Sequence, residues 1–440
     1  MKFMAVGDCI ISRRVSHQKD ADFTELVDLI RSADAAFANL EIMCPKEPWT
    51  PFSEYGGMHL AAGTFVLDEL KWFGFNHYGV ANNHAVDYTF QGLVDTLEEL
   101  KARGMVYAGG GMTLGEARSP GYLETRAGRV GLVAAASTYM TSALAAESRS
   151  DMAGRPGVNP LRHERMIHLT PEHLAQLKQI DESLGFAAVT AHGRANGLTP
   201  EAHPDATRFL GTYFVEGIED KLRTTCNARD LEEIVRWIKD TRRQSDLVVA
   251  SLHGHEGQDG AGNCPTIADF RVEAAHAFID AGADVFVGHG PHMLQGIEIY
   301  QGKPIFYSLG NFMFMLETVA PYPTEMYERH KLGPTATPSD VHDAWSGTAG
   351  TGPKGFHKDP AFWECVVPVC DFEDGVVKSV ELHPVELGLA RGRVERGGPR
   401  LASAEHGRRI LAGLSELSAP FHTEIRIETR GNRAVGMVAL

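Results

Sequence analysis

The sequence predicts a layered α/β fold, two β-sheets packed face to face and flanked by helices. Three observations carry that prediction. Short apolar runs alternate with segments of helical apolar spacing over residues 2–136 and again over 231–287. Beyond residue 296 apolar runs follow one another without a helical segment, so one edge of the fold is expected to be antiparallel. Several runs in the alternating part stop at Asp, Asn, Glu or His, and strand ends are where α/β folds place their chemistry.

The elements follow in order. Residues 2–6 alternate weakly and run into Gly7-Asp8, a first strand ending at a carboxylate. Phe23, Leu26, Val27 and Ile30 share one helical face. A second strand over 35–38 ends in Asn39-Leu40-Glu41, and a helix is expected over 65–73. The third strand, 76–81, ends in Asn82-Asn83-His84-Ala85-Val86-Asp87, after which Phe90, Leu93, Val94, Leu97 and Leu100 mark a helix. Ala108-Gly109-Gly110-Gly111-Met112 lacks the Lys-Ser/Thr of a phosphate loop and reads as a loop closing a strand. A strand over 130–136 follows. Residues 137–228 break the alternation, contain a helix over 171–184, and read as an insertion forming one wall of a site.

The alternation resumes with helix 231–241, strand 247–252, helix 270–281 and strand 285–287, which runs into Gly288-His289-Gly290-Pro291-His292. Two glycines and a proline force a sharp turn there, so two imidazoles can converge beyond a buried strand. Strands over 297–300 and 305–309 come next. Residues 333–358, rich in Gly, Pro, Ser and Thr, are expected to be a long lid-like loop, with Trp345 placed to close over a substrate. A hairpin across Glu373-Asp374-Gly375, a C-terminal extension from about 384, a helix over 402–417 and a strand over 424–428 complete one elaborated domain over 1–440.

Charge excludes some functions. A net charge of −15 argues against nucleic acid and against an anionic membrane surface as partners. No run approaches the roughly 18 apolar residues of a membrane span. The opening MKFMAVGDCIISRR turns polar too soon for a secretory signal. The six cysteines form no C-x-x-C pair, which fits reduced structural thiols and an expected cytoplasmic location.

Five separate strand ends supply donors suited to a metal: Asp8, Asn39 with Glu41, Asn83 with His84 and Asp87, His253 with His255 and Glu256, and His289 with His292. One polar strand end is unremarkable; five point to a shared site. Mixed oxygen and nitrogen donors suit a divalent ion such as Mn or Zn, or Ca with more oxygens.

The order of these motifs resembles the CapA family, named for poly-γ-glutamate capsule synthesis. Gly-Asp8, Asn39-Leu40-Glu41, ANNHAVDY, YAGGG followed by Glu116 to Pro120, and GADVFVGHGPHMLQGIEIYQGKPIFYSLGNF carry the resemblance, over about 2–136 and 230–315. It implies the calcineurin-like metallophosphatase fold, an α/β/β/α sandwich. Carried over, Asp8 would be a metal carboxylate and Glu41 would stand where a bridging Asp sits. Asn83 would be a ligand, His84 an acid/base, and His253, His289 and His292 would match the later histidine motifs. Two departures stand out: Cys9-Ile10 follows Asp8 where an Asp-x-His is usual, and the closing histidines are one residue further apart. With one imidazole missing, one bound ion rather than two is expected.

Three functions follow from that set. The first is metal-dependent epimerisation at Cα of a peptide or amino-acyl substrate, as in the soluble lasso-peptide epimerases that the chain resembles. His84 with Asp87 and His289 with Asp8 would then be two carboxylate-oriented bases, and Asp8, Glu41, Asn83, His253 and His292 would hold the ion. The second is a metallohydrolase of amide or phosphoester bonds with His84 as acid. The third is a binding protein for poly-γ-glutamate through Arg155, Arg162 or Arg271. In the enzyme readings Arg155 and Arg271 are the candidates for holding a substrate carboxylate.

Overall fold

Two sheets organise the chain, a mixed α/β structure with several sheets and helices. The computed structural model describes residues 1–54, 57–198, 203, 206–258, 260–348 and 352–440. In the larger sheet, Lys2–Ile10, Ala35–Leu40, His77–Gly79 and Val106–Ala108 run parallel. On its other side Lys2–Ile10 pairs antiparallel with Glu364–Glu373, followed by Val376–Glu386, Arg433–Val438 and Ile425–Arg430. In the second sheet Gly128–Ala136, Leu247–His253 and Val285–His289 are parallel, and Gly121–Thr125 and Ile297–Tyr300 are its antiparallel edges.

Side-chain alternation explains how the sheets pack. Phe3, Ala5, Ala35 and Phe37 share one apolar cluster with Val130, Leu132, Leu247, Val249, Val285 and Val287 of the second sheet. Their neighbours Met4, Val6, Ala36 and Ala38 face the opposite way, onto Phe23, Leu26, Val66 and Leu70 of helices Ala21–Arg31 and Phe65–Phe73. Val133, Val248 and Ala250 likewise face Ile234, Ile238 and Phe278 of helices Ala228–Arg242 and Asp269–Asp280. Phe3, Phe37, Phe286 and Phe306 are fully buried, each contributing roughly 1.5–3 kcal/mol by leaving water.

Three regions differ from the sequence reading. Strands one, two and those ending in His253 and His289 run further than expected, so Asp8, Asn39, His253 and His289 are residues of the strands themselves. The expected loop over 333–358 contains a helix, Pro338–Ser346, whose start is fixed by Thr337 and Asp340 in a reciprocal capping box; residues 349–351 lie outside the described residues. The C-terminal strand expected over 424–428 is half of a hairpin whose second strand, Arg433–Val438, joins the main sheet beside Val376–Glu386. The insertion builds its own four-stranded sheet from His163–Leu169, Thr207–Phe209, Thr212–Glu216 and Lys221–Cys226. Five of the six cysteines, Cys9, Cys44, Cys226, Cys365 and Cys370, are buried. Among the described residues no helix is long and apolar enough to cross a membrane.

Candidate metal centre

Strand register assembles the site. Asp8 stands opposite Asn39 in the first sheet, and His253 opposite His289 in the second. Because the two sheets share one apolar cluster, these pairs meet at one end of it. Gly290, at φ 113, packs against the backbone of Gly254 where a side chain would collide, and its N–H donates to Asp8 Oδ2 at 3.0 Å. Asn39 Nδ2 donates to Asp8 Oδ1 at 2.8 Å.

Two groups of three donors result: Asp8, His253 and His289, and beside them Glu41, His255 and His292. In the first group the His253 and His289 Nδ1 atoms lie 2.9 Å apart and 3.8 and 3.6 Å from Asp8 Oδ1. Donors around a tetrahedral ion about 2.1 Å away stand about 3.4 Å from one another, so the spacing suits one ion. In the second group His292 Nε2 is 3.9 Å from Glu41 Oε1. Both Glu41 carboxylate oxygens are buried without a hydrogen-bond partner, as expected of oxygens meant for a cation.

The outer nitrogen of most rings is held. His292 Nδ1 faces Asn311 Oδ1 at 2.9 Å, and His255 Nδ1 faces Asn263 Oδ1 at 2.6 Å, which turns each Nε2 to the centre. His289 Nε2 faces Ser251 Oγ at 2.7 Å, leaving Nδ1 for Asp8. His253 lies between the groups, with Nε2 2.7 Å from Asn83 Oδ1 and 3.1 Å from His255 Nε2. Burial holds the rings neutral, pushing His289 down to about 4, His255 down to about 3 and His253 well below its ordinary value. Burial, with Asp8 and Asp87 nearby, pushes the Glu41 carboxyl well above its usual range while no ion is present. For Asp8 the adjoining His292, His253 and His289 outweigh burial and hold the carboxyl below its usual range.

A pocket of about 520 Å³ opens onto this centre. Asn83, His84, His255 and His292 form its polar floor, and Met58, Leu60, Tyr139, Phe314, Trp345 and Phe356 form most of its apolar walls. His84 Nδ1 lies 2.6 Å from Asp87 Oδ2, which also accepts from Leu60 N–H at 2.8 Å, so Asp87 fixes the tautomer and turns His84 Nε2 inward, 3.8 Å from Glu41 Oε1.

The structure therefore brings together Asp8, Glu41, Asn83, His84, Asp87, His253, His289 and His292. It redistributes two of them. His289 is 1% exposed and turned toward Ser251 and Asp8, so it sits behind the ion positions and does not face the pocket as a second base would. Asn83 Oδ1 meets His253 Nε2. The expected arginines are elsewhere: Arg155 is exposed and donates to the Leu144 carbonyl, and Arg162 is paired with Asp230. Arg271 is fully buried, donating to Gln295 Oε1 and the Tyr307 carbonyl. No lysine or arginine lines the pocket among the described residues.

His255 completes the second group, which the expectation of one ion omits. Its signal was the His-x-His spacing at the end of strand 247–253, where His255 stands two residues past His253. Asn311, within the Gly-Asn-Phe that closes the last motif, and Asn263 carry no local signal of their partnership with these rings. Glu256 is occupied by the Ser137 and Thr138 hydroxyls and is no ligand in this arrangement.

Known proteins match the chain across the whole of this site. The family profile described as bacterial capsule synthesis protein PGA_cap matches residues 2–315, spanning every residue of both groups. The chain is 35% identical over 99% of its length to the uncharacterized protein y4sH of Sinorhizobium fredii, covering 92% of that protein. It is 28% identical to the PGA biosynthesis protein CapA of Bacillus subtilis over 77% of this chain and 71% of that one. It is 26% identical to the capsule biosynthesis protein CapA of Bacillus anthracis, over 70% and 58%.

Proposed function

Because this chain belongs to the bacterial capsule synthesis protein family PGA_cap, we propose that its metal centre serves acid/base chemistry on a peptide or amino-acyl substrate, in the form of amide hydrolysis. The fold that this reading assumes is the α/β/β/α sandwich of the calcineurin-like metallophosphatases, supported by the apolar cluster between the sheets and the two beneath the helices. One observation carries the proposal: two adjoining His/carboxylate triplets lie under a pocket that a single oriented imidazole, His84, faces.

Asp8, His253 and His289 would hold one ion, and Glu41, His255 and His292 a second; the orphaned Glu41 oxygens and the neutral rings fit divalent ions of the Zn or Mn kind. Bound there, such ions supply Lewis-acid polarisation of a carbonyl and a water of lowered pKa. Asp87 accepts from His84 Nδ1–H, which leaves Nε2 at the pocket floor as the nitrogen that takes up a proton and hands it to the departing amine. The walls of Met58, Leu60, Phe314 and Phe356 exclude water around the scissile group and suit an apolar peptide side chain. With no lysine or arginine among its described lining residues, the pocket favours an amide over a phosphoester or a polyanionic polymer.

Epimerisation by His84 and His289 needs both rings at the pocket, and the buried position of His289 weighs against it. A peptide panel incubated with metal-loaded protein in oxygen-labelled water tests the choice. New termini carrying the label are expected. Deuterium uptake at Cα in deuterated water, without cleavage, would replace hydrolysis by epimerisation.

A further inference from the structure

A second cluster of metal-type donors lies in the lid, apart from the strand-end centre. We propose that Glu317, His342 and His357 form a separate site for a divalent transition ion of the zinc class, which fastens the lid over the pocket. The three side chains are 5%, 1% and 3% exposed, and one ligand atom from each lies within 4.8 Å of the others. His342 Nε2 and His357 Nε2 stand 3.4 and 3.5 Å from Glu317 Oε1.

Five atoms here are buried without a hydrogen-bond partner: both nitrogens of His342, both of His357, and Glu317 Oε2. A buried polar atom left unpaired is destabilising, so a packed protein rarely gathers five of them. An ion held by the two Nε2 atoms and a Glu317 carboxylate oxygen engages both rings at once. Two imidazoles and one carboxylate form a donor set that zinc and its neighbours take, whereas magnesium and calcium call for oxygens.

Charge shapes the site. Arg396 Nη1 donates to Glu317 Oε1 at 2.7 Å, which leaves Oε2 as the free oxygen. Arg393 is paired with Asp343 and lies 3.8 Å from Glu317 Oε1. Arg13 donates to Thr318 Oγ1 and to the Arg396 carbonyl. Three guanidiniums thus lie around two carboxylates.

The three ligands come from three pieces of the lid region: the turn Leu316–Thr318, the helix Pro338–Ser346 and the turn Gly355–His357. Phe356, next to His357 in sequence, and Trp345, one helical turn past His342, line the pocket and pack on each other at 5.7 Å. An ion at the cluster would fix both pocket walls in place.

The test is anomalous diffraction from wild-type crystals grown with zinc, recorded above and below the zinc absorption edge. A peak between Glu317, His342 and His357 is expected; its absence overturns the proposal whatever the occupancy of the strand-end centre. In solution the variant H342Q/H357Q is expected to bind one zinc fewer per chain than wild type by elemental mass spectrometry. An unchanged count in a variant with native circular dichroism overturns the proposal equally, and if the variant does not fold the diffraction result decides.

Discussion

The strand-end centre and the lid cluster use the same residue types and are both buried, yet they are built differently. At the strand ends, partners outside the donor set turn the rings: Asn311, Asn263 and Ser251 hold the outer nitrogens of His292, His255 and His289. In the lid neither ring has a hydrogen-bond partner outside the donor set. The first set rides on strands whose register is locked by ladders; the second joins short helical pieces to one another. Oriented donors on rigid elements suit chemistry, where geometry must be kept through a reaction. Donors that are brought together only when a segment closes suit a fastening.

The widest separation of the two is expected from Asp8→Asn. It should remove ions from the strand-end centre and lower turnover by roughly 1000-fold or more, the several kcal/mol an ion supplies, while zinc in the lid remains. Elemental analysis beside a peptide-cleavage assay reads both. His84→Ala should divide binding from chemistry within the first centre: the metal count stays at the wild-type value and turnover falls by about 10²–10⁴-fold. Loss of metal in that variant would make His84 a ligand and not the acid.

Acid should attack the metal-free strand-end centre. His253, His255 and His289 are held neutral in the folded chain and ionise near 6.5 when it unfolds, so below that pH the unfolded state takes up protons that the folded state refuses. Their contribution to stability is present above about pH 6.5 and is lost as pH falls toward about 4 for His289 and about 3 for His255. Glu41, whose folded value is raised, opposes this; its contribution is present below its ordinary value of 4.5 and is lost as pH rises. Three rings against one carboxyl leave a net uptake of protons on unfolding between about pH 4.5 and 6.5, so stability falls as the pH is lowered through that range. Thermal unfolding of chelator-treated protein across that range should show Tm falling with acid.

Smaller effects sharpen the contrast. Asn263→Ala and Asn311→Ala should each weaken ion binding about 10–100-fold by releasing a ring, without changing the number of ions bound at saturation. Trp345→Ala should raise KM several-fold through the lost pocket wall and leave kcat nearly unchanged; an equal fall in kcat would give that ring a part in the transition state.

The strand–helix alternation, the sheet-facing residues and the five donor-bearing strand ends were legible because period-two and helical apolar patterns are local properties of the chain. Asp8, His84, His253 and the closing histidines could be picked out one by one for the same reason. The lid helix carried its own local signal, since Thr337-Pro338 with Asp340 is a helix start, but the surrounding Gly, Pro and Ser masked it. What a sequence pattern does not contain is direction. That His289 turns away from the pocket follows from its pairing with Ser251 across two strands. That Arg271 serves Gln295 and the Tyr307 carbonyl, and not a substrate, follows from its position beneath the second sheet. The meeting of Glu41 with His255 and His292, and of Glu317 with His342 and His357, joins residues from distant segments. Such meetings are decided only when the sheets and the segments packed on them come together, because burial and opposing register then set which donors share a volume.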